Sequence, residues 1–243
     1  MKTAALLVIG DEILSGKVKD DNSFVFAKTM YERGVKVTRI VVIPDEIDVI
    51  ADKVEKCSKK FDYLVTSGGV GPTHDDKTFL GVSMGLALPL NLHHEALDYF
   101  QQAQLKAGRG EVVSDVQKKM LIFPTPCTVH YVEPLWLPLV VAKNVYIFPG
   151  VPYLFEKMMS SFAHLFKGGK FYRGVVYTDL SESRIALDLE KVQEKYPSVA
   201  IGSYPQMPGA NYLVMVTVEG VEQEMVNKAV SELMPLLHGR AAA

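Results

Sequence analysis

Residues 4–9, Ala-Ala-Leu-Leu-Val-Ile, are apolar without a break, and the run stops at Gly10-Asp11-Glu12. A short apolar run that does not alternate predicts a strand covered on both faces. Helical spacing comes next. Phe24, Ala27, Met30 and Tyr31 recur every three or four positions behind the capping candidates Asp20-Asp21-Asn22-Ser23, and Gly34 suits the position just past a helix end. Residues 35–43 predict the second strand, ended by Pro44-Asp45-Glu46. Ile47, Ile50, Ala51 and Val54 then mark an amphipathic helix. Residues 61–65 predict a third strand and 78–85 the helix that follows it.

The pattern continues through a break at Leu88-Pro89-Leu90 to a Gln-rich helix over 93–107, closed by Gly108. A short helix over 114–121 and a strand over 128–132 follow. Glu133-Pro134-Leu135-Trp136-Leu137-Pro138 is then a stiff loop with the single tryptophan. Residues 139–142 and 145–148 predict a tight hairpin across Lys143-Asn144. Pro149-Gly150-Val151-Pro152 leads into a helix over 153–166, with proline near its first turn. The polar glycine pair in Lys167-Gly168-Gly169-Lys170 marks a domain boundary, giving domains 1–168 and 169–240. Beyond it the order changes: strand 171–178, helix 181–196, strands 199–204 and 212–218, helix 222–237. That is a small α+β domain of about 70 residues. The connection 205–211 is expected to be a constrained loop, and residues 239–243 carry no structural signal.

Composition narrows the function classes. The 243 residues are 48% hydrophobic, enough for a sizeable core. A net charge of −2 gives no basic excess for nucleic acid and no charge block for a membrane surface. No apolar run approaches the ~20 residues of a membrane span. The N-terminal run is too short for a signal peptide and leads directly into Gly10-Asp11-Glu12, so it is read as a central strand. Cys57 and Cys127 stand far apart, which predicts reduced thiols in a cytoplasmic protein and no zinc site. His93 and His94 are adjacent and point different ways on a helix, so they do not form a metal pair.

The chemistry concentrates in residues 64–78, Leu-Val-Thr-Ser-Gly-Gly-Val-Gly-Pro-Thr-His-Asp-Asp-Lys-Thr. A strand-to-helix turn with Gly68, Gly69 and Gly71 lets backbone N–H groups converge beside a helix N-terminus, which suits phosphate. Asp75 and Asp76 are then odd company for an anion. They make sense if a divalent cation lies between, or if one acts as a base. The plainer alternative is a turn in which Asp75 or Asp76 caps the next helix. Asp11, Glu12 and Asp45 lie at the carboxyl ends of other strands, where open α/β sheets bind ligands. Asp45 has its own plain alternative as an N-cap.

Gly10-Asp11-Glu12-Ile13-Leu14, Gly16, Asn22, Pro44-Asp45-Glu46 and Gly68-Gly69-Val70-Gly71-Pro72-Thr73-x-Asp75-Asp76-x-Thr78, in this order, resemble the molybdopterin-binding-like superfamily. That group includes molybdopterin adenylyltransferases and competence-damage-inducible proteins. Pro138-Leu139-Val140, the run from Asn144 to Pro152 and Gly202-Ser203-Tyr204-Pro205 are similar to the FAD-hydrolysing N-terminal part of FAD synthase. The resemblance implies a three-layer α/β/α fold around a mostly parallel sheet, followed by the small α+β domain. It implies a divalent-metal-dependent pyrophosphatase acting on a dinucleotide, FAD plus water giving FMN and AMP. The cation would be Mg²⁺, Mn²⁺ or Co²⁺. Asp45 and Asp76 match the catalytic and metal-handling pair, with Asp11 beside them. Gly10, Glu12, Ser15, Asn22, Ser67, Gly68, Gly69, Gly71, Pro72, Thr73, Asp75, Thr78, Pro149 and Gly150 would bind substrate and phosphate. Ser203 and Tyr204 would reach this site or a neighbouring subunit's in a homo-oligomer, a dimer or trimer. Two departures qualify this. Glu133 to Pro138 stand where competence-damage proteins carry an Asn-Pro-x-Gly-x-Ala-Pro-Gly loop, and residues 166–243 hold no second nucleotide-binding glycine loop, so FAD synthesis is not expected of the chain alone. The alternatives are a molybdopterin adenylyltransferase and a non-catalytic nucleotide-sensing module.

Overall fold

β1 (Thr3–Ile9) is buried from Ala4 to Ile9, as its unbroken apolar run requires. In the computed structural model, which describes residues 1–108, 112–207 and 211–241, a single helical turn, α1 (Asp11–Leu14), follows it, and then α2 (Asn22–Glu32). Next come β2 (Lys36–Ile43), α3 (Ile47–Lys60), β3 (Tyr63–Ser67) and α4 (Thr78–Leu86). After α4 the chain forms β4 (Leu90–Leu92), α5 (His94–Lys106), α6 (Asp115–Lys118), β5 (Ile122–Pro124) and β6 (Thr128–His130). The hairpin of β7 (Leu139–Ala142) and β8 (Val145–Phe148) leads to α7 (Pro152–Phe162).

Six strands form one sheet in the order β2-β1-β3-β8-β7-β6. β2, β1, β3 and β8 are parallel neighbours, while β7 and β6 add on antiparallel. Successive side chains of a strand point to opposite faces, and β1 shows it. Ala5, Leu7 and Ile9 join a core with Ile50, Val54, Val82 and Phe100. Ala4, Leu6 and Val8 join a second core with Phe26, Met30, Phe155 and Met159. The helices therefore cover both faces, and the fold is three-layered with a mostly parallel sheet, as the resemblance implies. A strand buried on both sides cannot alternate, which is why β1 reads as a solid apolar run.

The chain divides after Gly168 into two compact units. The second holds β9 (Tyr172–Thr178), α8 (Glu182–Lys195), β10 (Val199–Pro205), β11 (Val214–Gly220), α9 (Gln223–Leu236) and β12 (Arg240–Ala241). Its antiparallel sheet runs β10-β11-β9-β12. Val176, Val214, Val216 and Val218 share a core with Ile185 and Val192 of α8 and Ala229 and Leu233 of α9.

Several local expectations need correction. The tail after Gly239 is not featureless: Arg240 pairs with Tyr177 in the sheet, and its guanidinium donates to Asp179 and to the Asn211 carbonyl. The region expected as one helix over 114–121 is a single α-turn, capped reciprocally by Ser114 and Gln117, with a 3₁₀ turn behind it. β4 and β5 pair antiparallel as a separate two-stranded ribbon where no strand was expected. α1 is too short for a periodic pattern to register. Of the constrained loop over 205–211, residues 208–210 lie outside the described residues.

One contact sets how closely the strand ends approach. Gly68 follows β3 with φ +119°, and a Cβ there would lie 2.0 Å from the Ile9 carbonyl oxygen at the end of β1. Neither that dihedral nor that gap admits a side chain. Gly68→Ala is therefore expected to destabilise the chain by about 3–5 kcal/mol, combining backbone strain with overpacking. Denaturant unfolding of the full chain measures it, and a loss under about 1 kcal/mol would contradict the close approach.

Candidate active site

The ends of β1, β2, β3 and β8 hold most of the residues singled out in the sequence. The Gly10 N–H donates to the Ile43 carbonyl at 3.1 Å, joining the ends of β1 and β2. One residue on, the Asp11 N–H donates to Asp45 Oδ2 at 3.0 Å. Asp45 is thus tied to the β1 end and does not cap α3, whose N-cap is Glu46. At the β3 end, Thr78 locks the glycine turn: its N–H donates to the Gly69 carbonyl at 3.0 Å and its hydroxyl to the Gly68 carbonyl at 2.8 Å. Asp45 and Thr78 both lie against Gly69, where a Cβ would meet Thr78 Oγ1 at 2.5 Å and Asp45 Oδ1 at 3.4 Å. The buried Asn22 amide donates to Ser67 Oγ and to the Gly150 carbonyl, each at 2.8 Å, drawing α2 onto the ends of β3 and β8.

The glycine turn is arranged differently from a plain phosphate cradle. Asp76 Oδ1 accepts from the Gly71 N–H at 2.6 Å, and its Oδ2 from the Thr73 N–H at 2.8 Å. The Thr73 hydroxyl lies within hydrogen-bond reach of both Asp75 and Asp76. The Gly68 N–H donates to Phe148. Among the described residues nothing accepts from the Gly69 or Val70 N–H. The loop after Pro72 therefore holds an anion of its own, the Asp76 carboxylate, while the Gly69 and Val70 N–H groups before it have no acceptor. Neither Asp75 nor Asp76 caps α4, whose N-cap is Lys77 without a side-chain cap bond. Spacing alone did not distinguish an amide that faces outward from one closed by a carboxylate five residues on.

Charge is unbalanced here. Burial raises the Asp45 carboxyl above its usual range. The Asp11 N–H opposes this, and the negative charges of Asp11, Glu12 and Asp75 add to the rise. Asp75 is lowered, chiefly by the Thr73 hydroxyl. Lys77, not among the candidates that the sequence singles out, donates its ammonium to the Asp45 backbone carbonyl at 2.9 Å. It is a cation inside a run of acids, and that placement was the available signal. Among the described residues, no group of three His, Cys, Asp or Glu side chains is placed to hold a metal ion.

The remaining candidates have local partners. Ser15 Oγ donates to the Glu12 carbonyl at 3.3 Å, and the Glu12 carboxylate folds back over Gly10. Ser203 and Tyr204 lie in the second unit. There the Ser203 hydroxyl donates to Glu182, and the Tyr204 ring rests on Gly202. His93 Nδ1 accepts from the Ala96 N–H as a helix cap. Cys57 and Cys127 are free, and burial raises both thiols, so they are poor nucleophiles.

Residues 5–167 match the family model for a probable molybdopterin binding domain. The chain belongs to this molybdopterin-binding domain family. Its residues 170–242 match a second model, the FAD synthase middle domain. A probable FAD synthase of Caenorhabditis elegans is 32% identical over 98% of this chain. The chain spans 50% of that relative's length, and likewise 50% of the Caenorhabditis briggsae protein of the same description. A protein of Archaeoglobus fulgidus is 32% identical over 97% of this chain and 98% of its own length. Among solved structures, the CinA protein of Thermoplasma acidophilum superposes with TM-score 0.61 at 27% identity, covering 68% of this chain and 98% of that one. No described helix is long and apolar enough to cross a membrane.

In this family member Asp76 closes its own loop, so its removal is expected to reach stability as well as chemistry. Asp76→Asn keeps one acceptor oxygen but loses the charge that strengthens both amide bonds. A loss of about 1–2 kcal/mol is expected, read as a fall in the thermal midpoint. An unchanged midpoint would mean that the Gly71 and Thr73 bonds contribute nothing.

Proposed function

We propose that the chain hydrolyses the phosphoanhydride of a dinucleotide, FAD plus water giving FMN and AMP, with a divalent cation. The observation that carries this is the charge at the strand ends. A half-buried Asp45 sits among further carboxylates, while the Gly69 and Val70 amides and the Lys77 ammonium offer positive counterparts within the same loops. An anionic substrate enters such a site only with added positive charge. The FAD synthase descriptions of the middle-domain model and of the worm relatives support a flavin dinucleotide as that substrate.

A cation of the kind proposed takes one or two carboxylates from the protein and completes its shell with phosphate oxygens and water, as Mg²⁺ commonly does. Asp45 and Asp76 would hold it, and it would supply counter-charge to the diphosphate. The rest falls to the chain's own groups. The Gly69 and Val70 N–H groups and Lys77 bind one phosphate and orient the anhydride. Water adds to phosphorus as the bridging P–O bond breaks, and the electron pair leaves with the departing phosphate. Asp11, the exposed carboxylate whose N–H lies on Asp45, takes the proton from water.

The decisive assay incubates the pure chain with FAD, ADP-ribose or molybdopterin and Mg²⁺, Mn²⁺ or Co²⁺, and follows AMP. Chelator is expected to abolish AMP release and added cation to restore it. Asp45→Asn is expected to lower kcat by about 10²–10⁴-fold. Lys77→Met is expected to raise KM by about 10-fold, as for a lost charge-assisted bond. Full turnover in chelator, or an unimpaired Asp45→Asn variant, would overturn the proposal. The description of the family model favours molybdopterin as the second reading, and adenylylation of molybdopterin without FAD turnover would select it. Binding without turnover of any substrate would mark a sensing module.

A further inference from the structure

Tyr99, Ala103 and Lys106 recur at helical spacing and so stand on one face of α5. The two outer ones reach across to the loop that follows β6. The Tyr99 hydroxyl donates to the Leu135 carbonyl at 2.8 Å, and the Lys106 ammonium donates to Glu133 Oε1 at 3.1 Å. Ala103 stands between them with a methyl group too short to cross. The result is an open cleft of about 450 Å³, lined by all five residues together with Gln102 and Pro134. Clefts of ~300–1,000 Å³ are the size that holds a small molecule.

The lining narrows the occupant. Leu135 is buried, and the Tyr99 ring packs on the Tyr131 ring with centroids 4.4 Å apart, so the apolar wall is held in place. The Lys106 and Glu133 side chains are 73% and 77% exposed. A pair so exposed contributes little to stability, and a ligand that bonds to both ends replaces it at little cost. An apolar wall with one donor and one acceptor beside it suits a flat heterocycle whose edge alternates carbonyl and N–H.

Topology relates the cleft to the strand ends. β6 is antiparallel to β7, β7 is antiparallel to β8, and β8 is parallel to β3, so β6 ends on the same rim as β3. Phe100 of α5 and Val82 of α4 share one core, so the cleft also lies on the α4 side of the sheet. β6 is three places from β3, about 14 Å at ~4.8 Å per strand. A ring joined to a phosphate at Gly69 has to cross a gap of that order. In a flavin dinucleotide the flavin half has the longer arm, an acyclic ribityl chain ending in three fused rings. We propose that the cleft between α5 and residues 133–135 is the subsite for the isoalloxazine ring: Lys106 donates to a ring carbonyl and Glu133 accepts from the ring N–H. The proposal rests on the dinucleotide reading and deepens it. It directs the FMN half along the rim toward β6, away from Asp11 and Asp45 at the ends of β1 and β2.

The test measures FMN and AMP binding to the full chain by calorimetry, for wild type, Ala103→Phe and Lys106→Met. Ala103→Phe fills the cleft from a half-buried helix position. It is expected to weaken FMN at least about 10-fold and to leave AMP unchanged, with AMP reporting that the variant is folded. Lys106→Met leaves the cleft open and breaks only the exposed pair. It is expected to weaken FMN about 3- to 10-fold, with AMP affinity and the thermal midpoint unchanged. If Ala103→Phe does not fold, Lys106→Met decides alone. FMN affinity that neither variant lowers would overturn the subsite and leave the dinucleotide reading standing. Loss of AMP without loss of FMN would put adenine in the cleft and overturn the flavin assignment. If neither FMN nor AMP binds wild type, the dinucleotide reading itself fails, and the subsite with it.

Discussion

The candidate site depends on how closely three strand ends can approach. Gly68 leaves no room between itself and the Ile9 carbonyl, and a Cβ on Gly150 would lie 3.0 Å from the Gly68 Cα. Backbone packs on backbone at the ends of β1, β3 and β8, and at Gly68 only glycine permits it. Asn22 then fastens α2 across the same junction through Ser67 and Gly150. Everything chemical follows from that closure. Asp11 leaves β1, Asp45 leaves β2, and the loop of Gly69 to Lys77 leaves β3, so loops distant in sequence share one rim of the sheet.

That closure concentrates negative charge, and the molecule only partly offsets it. Asp76 is neutralised locally by the amides of Gly71 and Thr73, which makes it a builder of the loop. Asp45 has one amide from Asp11 and otherwise faces burial and like charge. Lys77, anchored on the Asp45 carbonyl, is the nearby cation the chain supplies. On the proposed function, a site of this balance would repel a bare diphosphate and accept one that arrives with a metal ion. The proposed function rests on this electrostatic deficit, since no group of three His, Cys, Asp or Glu side chains is placed for a metal ion among the described residues.

β1 and β3 were legible because burial on both faces leaves no alternation. Ala4 to Ile9 could hardly be anything else, and the boundary at Gly168 showed as a polar glycine pair. The candidate residues were legible as types and as a resemblance. Their roles within the site were less so. Whether Gly71 offers its N–H outward or to Asp76 is decided by a side-chain rotamer across five residues, which leaves no periodic trace. Lys77 reads as an ordinary helix-start lysine until the fold places the Asp45 carbonyl in its reach. The two bonds of the Asn22 amide are invisible in sequence, because they depend on two partners, Ser67 and Gly150, brought together by tertiary structure. Short elements leave little trace for a related reason: α1, β4, β5 and β12 run for four residues or fewer, too few for a period to repeat.

The strand ends are proposed to hold the diphosphate of one ligand, with a phosphate at the Gly69–Val70 amides and Lys77. A crystal structure of the chain with ADP-ribose and a non-activating divalent cation tests it most directly. The predicted result is diphosphate density within hydrogen-bond distance of the Gly69 or Val70 nitrogen and of Lys77 Nζ. Ligand density elsewhere, for example in the cleft between Tyr99, Lys106 and Leu135, with the strand ends empty, would contradict it.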